Sequence, residues 1–202
     1  MLQTQTVSPE LLELLNIIMN TEVFSDFLLV GGTSLALQIG HRNSIDIDLF
    51  GKCEIDEELF TKTLRSYGIF EVFKRSKNIL ITSINGVKVD FVNYQYPLLK
   101  EHFVVQGIRL ASKEDIAAMK LNAISGRGSK KDFIDLFFLL NDFSLEQMLE
   151  FYTQKYFDGS KFMVVKSLTY FYDADLDQTP PLYLDFDWEI CKQKILEEVS
   201  KL

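Results

Sequence analysis

From Ile45 to Phe50 the chain reads Ile-Asp-Ile-Asp-Leu-Phe, and its two aspartates are the residues whose type and spacing point most directly to chemistry. Strict alternation predicts a strand with Asp46 and Asp48 on one face and Ile45, Ile47 and Leu49 on the other. Carboxylates placed side by side repel and raise one another's pKa, so a divalent cation is their natural neutralising partner. Mg²⁺ is commonly held by one or two carboxylates together with substrate phosphates. The alternative is a solvated edge strand. Just upstream, Phe27 to Val30 reads as a buried strand that ends at Gly31-Gly32, where the missing side chains let a ligand approach the backbone. A helix should follow, with Thr33 and Ser34 in its first turn or at its N-cap, and the unpaired N–H groups of such a turn bind phosphate.

A third acid lies in a hairpin. Ile79–Ile84 and Val87–Val92 read as strands joined by Asn85-Gly86, a signal for a tight type I′ turn. That register puts Val87, Val89 and Phe91 on one face and Lys88, Asp90 and Val92 on the other. Asp90 is an acid in an otherwise apolar strand; its structural alternative is to reach solvent or pair with Lys88. Further on, Ser112-Lys113-Glu114-Asp115 has the form of a capping box, and it opens a helix that runs toward Gly126 and Gly128. Lys120 and Arg127 are seven residues apart and project from the same side of that helix if it persists. Two cations so placed suit a triphosphate clamp. Lys131 and Asp135 stand at i,i+4, the spacing of an exposed helix pair.

Gly31-Gly32-Thr33-Ser34, then Gly40-His41-Arg42 with Ser44, then Asp46-x-Asp48-Leu49-Phe50 resemble the first motif of the AbiEii/AbiGii toxin family, within the DNA polymerase β-like nucleotidyltransferase superfamily. The stretch from Asp115 to Asn141 resembles the later motifs of that family, in which a helical lysine is followed by an arginine and then by a lysine-aspartate helix. Ile124 departs from the pattern, because the position four after the lysine is often a hydroxyl or an acid in the family. The resemblance implies that Gly31, Gly32, Thr33 and Ser34 cradle triphosphate with Arg42 nearby. It places Asp90 beside Asp46 and Asp48 as ligands of Mg²⁺, or alternatively Mn²⁺. Lys120 and Arg127 become contacts to the nucleotide phosphates or the transition state, and Asp135 a polar site residue.

The activity so implied is transfer of a nucleoside monophosphate from an NTP to an acceptor hydroxyl, with release of pyrophosphate. The resemblance also implies a bacterial toxin of a toxin–antitoxin or phage-defence system, with tRNA as a candidate acceptor and a cognate antitoxin as a candidate partner. Two rivals stand beside it. One is a nucleotidyltransferase acting on a small molecule or a protein side chain; the other is a regulatory module that binds NTP and transfers nothing.

The elements that must position these residues are legible along the chain. Its 202 residues, 47% hydrophobic and 13% aromatic, suffice for one substantial core or for a catalytic half and a smaller helical half. The expected fold is α/β or α+β: a small mixed sheet with helices over residues 1–111, then a mainly helical region over 112–202 that supplies Lys and Arg. Pro9–Asn20 reads as an opening helix capped by Ser8, and Asp56–Tyr67 as a helix closed by Gly68. Phe70–Phe73 reads as a further strand, and Phe103–Val105 with Ile108–Leu110 as a second hairpin. Ser144 caps a helix through Gln154, residues 161–172 form an apolar and aromatic segment, and Trp188–Val199 reads as a terminal helix. The acidic stretch 173–187, with its Pro pair, reads as a loop whose charges keep the protein soluble.

A formal net charge of −8 argues against a broad, nonspecific nucleic-acid groove. Cys53 and Cys191 read as two free thiols, and isolated His41 and His102 offer no zinc spacing. No segment is long and apolar enough to span a membrane and the first residues lack a secretion pattern, so the expected location is the cytoplasm.

Overall fold

The computed structural model describes all 202 residues, which divide into two compact units. The first comprises Met1–Gln95 with His102–Ala111, and the second Tyr96–Glu101 with Ser112–Leu202. The first unit is built on seven strands: β1 (Phe27–Leu29), β2 (Asp46–Gly51), β3 (Phe70–Ser76), β4 (Ile79–Ile84), β5 (Val87–Asn93), β6 (Phe103–Val105) and β7 (Ile108–Leu110). They form one mixed sheet in the order β3-β4-β5-β2-β1-β7-β6. Three α-helices, α1 (Pro9–Met19), α2 (Gly31–Ile39) and α3 (Glu57–Arg65), and two short 3-10 turns, Thr4–Thr6 and Glu22–Phe24, complete the unit.

The two faces of the sheet differ because the strand sequences alternate. Ile47, Leu49, Val89, Phe91, Leu80 and Ile84 all point into the core, where they meet Leu11, Leu15 and Ile18 of α1 and Phe60 and Leu64 of α3. Phe24, Phe27, Phe60 and Phe91 form its aromatic centre, with ring centroids 4.9–5.7 Å apart and mostly edge-to-face, the arrangement that ring quadrupoles favour. The opposite face of β2 and β5 carries Asp46, Asp48, Lys88 and Asp90, all only partly buried. The core thus fixes which way the acids point.

Local chemistry explains the boundaries. Ser8 accepts a hydrogen bond from the Leu11 N–H with Pro9 in the first turn, and Asp56 accepts from the Leu59 N–H. Asn85 and Gly86 both have positive φ, 51° and 83°, as a type I′ turn requires. Arg109 on β7 donates to the carbonyls of Phe27, Met19 and Phe24 at 2.8–2.9 Å, tying the end of α1 and the following turn to the start of β1. Ile45 differs from expectation: it precedes β2 and is 68% exposed. The alternating core face begins only at Ile47.

The second unit contains α4 (Lys113–Gly126), α5 (Lys130–Leu139), α6 (Leu145–Lys155), α7 (Lys161–Ser167), α8 (Tyr172–Leu176) and α9 (Trp188–Val199). Helix α4 packs against α5, α6 and α7. Ser112 caps α4 by accepting from the Asp115 N–H, but the reciprocal half of a capping box is replaced by a tertiary role. The Asp115 carboxylate accepts from the N–H groups of Leu99 and Lys100, from the Ser112 hydroxyl and from the Lys155 ammonium. This buried acid ties Tyr96–Glu101 to the helices. The full capping box occurs instead at α6, between Ser144 and Gln147. The segment expected over 161–172 is broken into α7 and α8, and α8 takes the start of the stretch expected to be loop. Asp177 beyond it accepts from the Lys130 N–H at 2.9 Å, capping α5 from a distance. Both cysteines are free, and burial pushes the Cys191 thiol up to about 12. No helix is long and apolar enough to cross a membrane.

Candidate active site

Strands β2 and β5 are parallel neighbours, with Asp46 opposite Lys88 and Asp48 opposite Asp90. Adjacent strands lie about 4.8 Å apart, so two carboxylates directly opposite each other repel unless a cation intervenes. The Asp90 side chain, 16% exposed, has one oxygen held by the Lys88 ammonium at 2.5 Å. Its other oxygen, Oδ1, is buried and has no hydrogen-bond partner. The pairing with Lys88 and the position beside Asp48 therefore coexist. Asp46 stays on the same face one repeat away, roughly 6.6 Å along the strand. No three His, Cys, Asp or Glu side chains converge into a ready-made cage. The three expected carboxylates resolve into an adjacent pair, Asp48 and Asp90, with Asp46 beyond it.

That pair fits a divalent cation. A carboxylate oxygen buried without a partner, beside a second carboxylate, is what an oxygen-seeking ion satisfies, and Mg²⁺ completes its shell with water and substrate oxygens.

The glycine pair closes directly on these groups. Gly31 has φ +67°, and a Cβ there would lie 2.6 Å from Asp48 Oδ2. A Cβ on Gly32 would collide with the Arg42 guanidinium. The first turn of α2 is therefore packed between an acid and a base, an approach that only glycine permits. Helix α2 begins at Gly31 without a side-chain cap. Thr33 and Ser34 are buried and use their hydroxyls internally. Thr33 donates to the Asp46 carbonyl and shares a 2.8 Å hydrogen bond with Ser44, while Ser34 accepts from Gln38 at 3.1 Å. Thr33 locks α2 to the start of β2, while the Ser34 bond stays within the helix. Arg42 is buried and donates to the Asn43 carbonyl at 2.9 Å.

Within the second unit, Lys120 and Arg127 do come together, through a residue that sequence reasoning missed. The Lys120 ammonium lies 3.0 Å from Asp132 and 2.5 Å from Asp135. Arg127 grips Asp132 with Nε at 2.8 Å and Nη2 at 3.0 Å. Burial alone would push the Asp132 carboxyl up, but the Lys120 charge, the Arg127 hydrogen bonds and charge, and the Ser129 hydroxyl together hold it well below the usual carboxylate range. The available signal was Ser129-x-x-Asp132, a helix-start spacing, and the Ser129 hydroxyl donates to Asp132 at 2.7 Å. Asp135 is fully buried rather than one half of an exposed pair. Lys120 is nearly buried, whereas the Arg127 side chain is 62% exposed.

Comparison with known proteins agrees with this architecture. The family described as nucleotidyl transferase AbiEii toxin of type IV toxin–antitoxin systems matches residues 13–197. A protein of Aquifex aeolicus strain VF5 is 38% identical over 168 residues, covering 80% of this chain and 82% of that one. Among solved structures, JHP933 from Helicobacter pylori superposes with a TM-score of 0.59 at 17% identity, covering 95% of this chain and 88% of that one. The nucleotidyltransferase toxin MenT4 of Mycobacterium tuberculosis gives a TM-score of 0.57 at 16% identity, over 96% and 83%. Those two likenesses are of fold. With the family match spanning nearly the whole sequence, the chain belongs to the AbiEii family of nucleotidyltransferase toxins.

Proposed function

We propose that Asp48 and Asp90 hold Mg²⁺, or Mn²⁺, against the triphosphate of an NTP, and that the nucleoside monophosphate passes to an acceptor hydroxyl with loss of pyrophosphate. The observation that carries this is the side-by-side register of the two acids, with Asp90 Oδ1 buried and unsatisfied. Held by Asp48 and Asp90, a divalent ion would supply a lowered pKa to an attacking hydroxyl and offset triphosphate charge. The chain's own residues supply the rest. The N–H groups of Gly31 and Gly32, at the start of α2, receive phosphate oxygens. Thr33 and Ser34 contribute backbone and rigidity, since their hydroxyls are engaged. Arg42, packed against Gly32, sets a positive charge beside that turn. Asp46 binds at the rim of the same face, and Asp90 also accepts the acceptor's proton. Within the second unit, Arg127 presents an exposed guanidinium of the kind that suits a phosphate, and Lys120 supports it through their common partner Asp132.

Membership of the toxin family favours an RNA acceptor, with tRNA ends as the candidate, and an antitoxin as partner. A small-molecule or protein acceptor is the second reading, favoured by the net charge of −8, which weakens any broad grip on nucleic acid.

The test is incubation with each α-³²P-labelled NTP, Mg²⁺, total RNA and lysate, with Asp48→Asn as control. Transfer should fall by at least about 100-fold in the variant, the usual scale for losing a group that stabilises transition-state charge. Label on RNA supports the toxin reading; label on protein or a small molecule keeps the chemistry and replaces the acceptor. NTP binding with no pyrophosphate release by the intact protein would refute transfer and leave a binding module.

A further inference from the structure

We infer that Lys88 is a built-in counterion that competes with a divalent cation for the Asp90 carboxylate, so that Lys88 sets the metal affinity of the site. This rests on the metal reading proposed above and goes beyond it by assigning a role to a residue with no place in the chemistry so far. Three observations carry it. The Lys88 ammonium lies 2.5 Å from Asp90 Oδ2, a direct charge-assisted contact. Register places Lys88 opposite Asp46 and Asp90 opposite Asp48, so one cation shares a face with three acids. The remaining Asp90 oxygen is buried without a partner, so the ammonium neutralises the acid but leaves half of it unsatisfied.

A lysine suits this part. Its ammonium sits at the end of a flexible stem, and the Lys88 side chain is 41% exposed, so it has an open route away from Asp90 when another cation arrives. Without such a counterion, the largely buried Asp90 carboxylate would stand beside Asp48 with neither of its oxygens paired, which opposes that strand pairing. Lys88 thus stabilises the sheet in the absence of metal and competes with metal for the charge of the same carboxylate. Lys88 acts as a positioning residue: its charge works on the cation through Asp90.

The experiment is a titration of the full chain with Mn²⁺ alone, without nucleotide, following free Mn²⁺ by electron paramagnetic resonance. Wild type is compared with Lys88→Met, Lys88→Arg and Asp90→Asn, each checked for native circular dichroism. Lys88→Met should bind Mn²⁺ roughly fivefold more tightly or better, the scale of one partly exposed ion pair removed from competition. Lys88→Arg should stay within about twofold of wild type, because the competing charge is kept, and Asp90→Asn should lose binding. The melting temperature of metal-free Lys88→Met should fall and should recover on adding Mn²⁺ by more than wild type gains. Binding that is lost in Asp90→Asn but equal in Lys88→Met and wild type would overturn the role of Lys88 and leave the metal site standing. Absence of binding in wild type and Lys88→Met alike would remove the metal site, and the role of Lys88 with it.

Discussion

Lys155→Met should cost more stability than almost any other single change in the second unit. The Lys155 ammonium and the Asp115 carboxylate are 2.6 Å apart, and both side chains are withdrawn from water. The same ammonium donates to the Pro97 carbonyl at 2.7 Å. Methionine nearly conserves the volume but leaves an ionised carboxylate buried with only neutral donors. Removing one partner of a buried pair typically costs about 3–5 kcal/mol. Asp115 would retain the N–H groups of Leu99 and Lys100 and the Ser112 hydroxyl, so the lower end, about 3 kcal/mol, is expected. For a chain of this size each kcal/mol shifts the melting temperature by roughly 2–4 °C, which gives a fall of about 6–12 °C by circular dichroism.

A local readout accompanies the global one. The Lys155–Pro97 bond and the Asp115 bonds to Leu99 and Lys100 hold Tyr96–Glu101 in place, so trypsin should cut after Lys100 faster in the variant. Adding Asp115→Asn should restore part of the loss, since the unpaired charge disappears, and the double-mutant cycle reports the coupling. A melting temperature within about 2 °C of wild type, with cleavage at Lys100 unchanged, would refute the view that this pair is dry and binds the segment to the helices.

At the candidate site, Gly31→Ala should abolish nucleotidyl transfer while far-ultraviolet circular dichroism stays native. A Cβ at φ +67° costs roughly 1–2 kcal/mol by itself and displaces the Asp48 carboxylate, so retained activity would show that Asp48 need not lie against this turn. Asp132 predicts an acid limit. Its folded carboxyl titrates below the unfolded value of about 3.9, so the unfolded chain takes up the proton first. Its stabilising contribution is full above about pH 4 and is lost as the pH falls through the folded value. The stability gap between wild type and Asp132→Asn in urea should therefore narrow below pH 4, and a gap independent of pH would contradict the assigned ion pairs.

Much of the fold could be read from short stretches, because caps, turns and alternation act over a few neighbouring residues. Ser8-Pro9, Asp56 and Ser144 mark helix starts, and Asn85-Gly86 marks its hairpin, since each satisfies or bends only nearby backbone. Alternation in Asp46–Phe50 and Val87–Val92 likewise placed the acids on one face of each strand and the core residues on the other.

What the sequence could not express is which groups meet across long separations. Local rules made Thr33 and Ser34 look available to a phosphate, yet packing of α2 on β2 turns both hydroxyls inward. Local spacing offered Asp135 to Lys131, whereas the packing of α5 against α4 delivers it, with Asp132, to Lys120. Asp48 and Asp90 became neighbours only when β2 paired in parallel with β5, a choice set by burying Ile47, Leu49, Val89 and Phe91 together. A slip of one residue would turn every one of those side chains to the wrong face, so burial of the core decides the register, and the register decides which charges stand side by side.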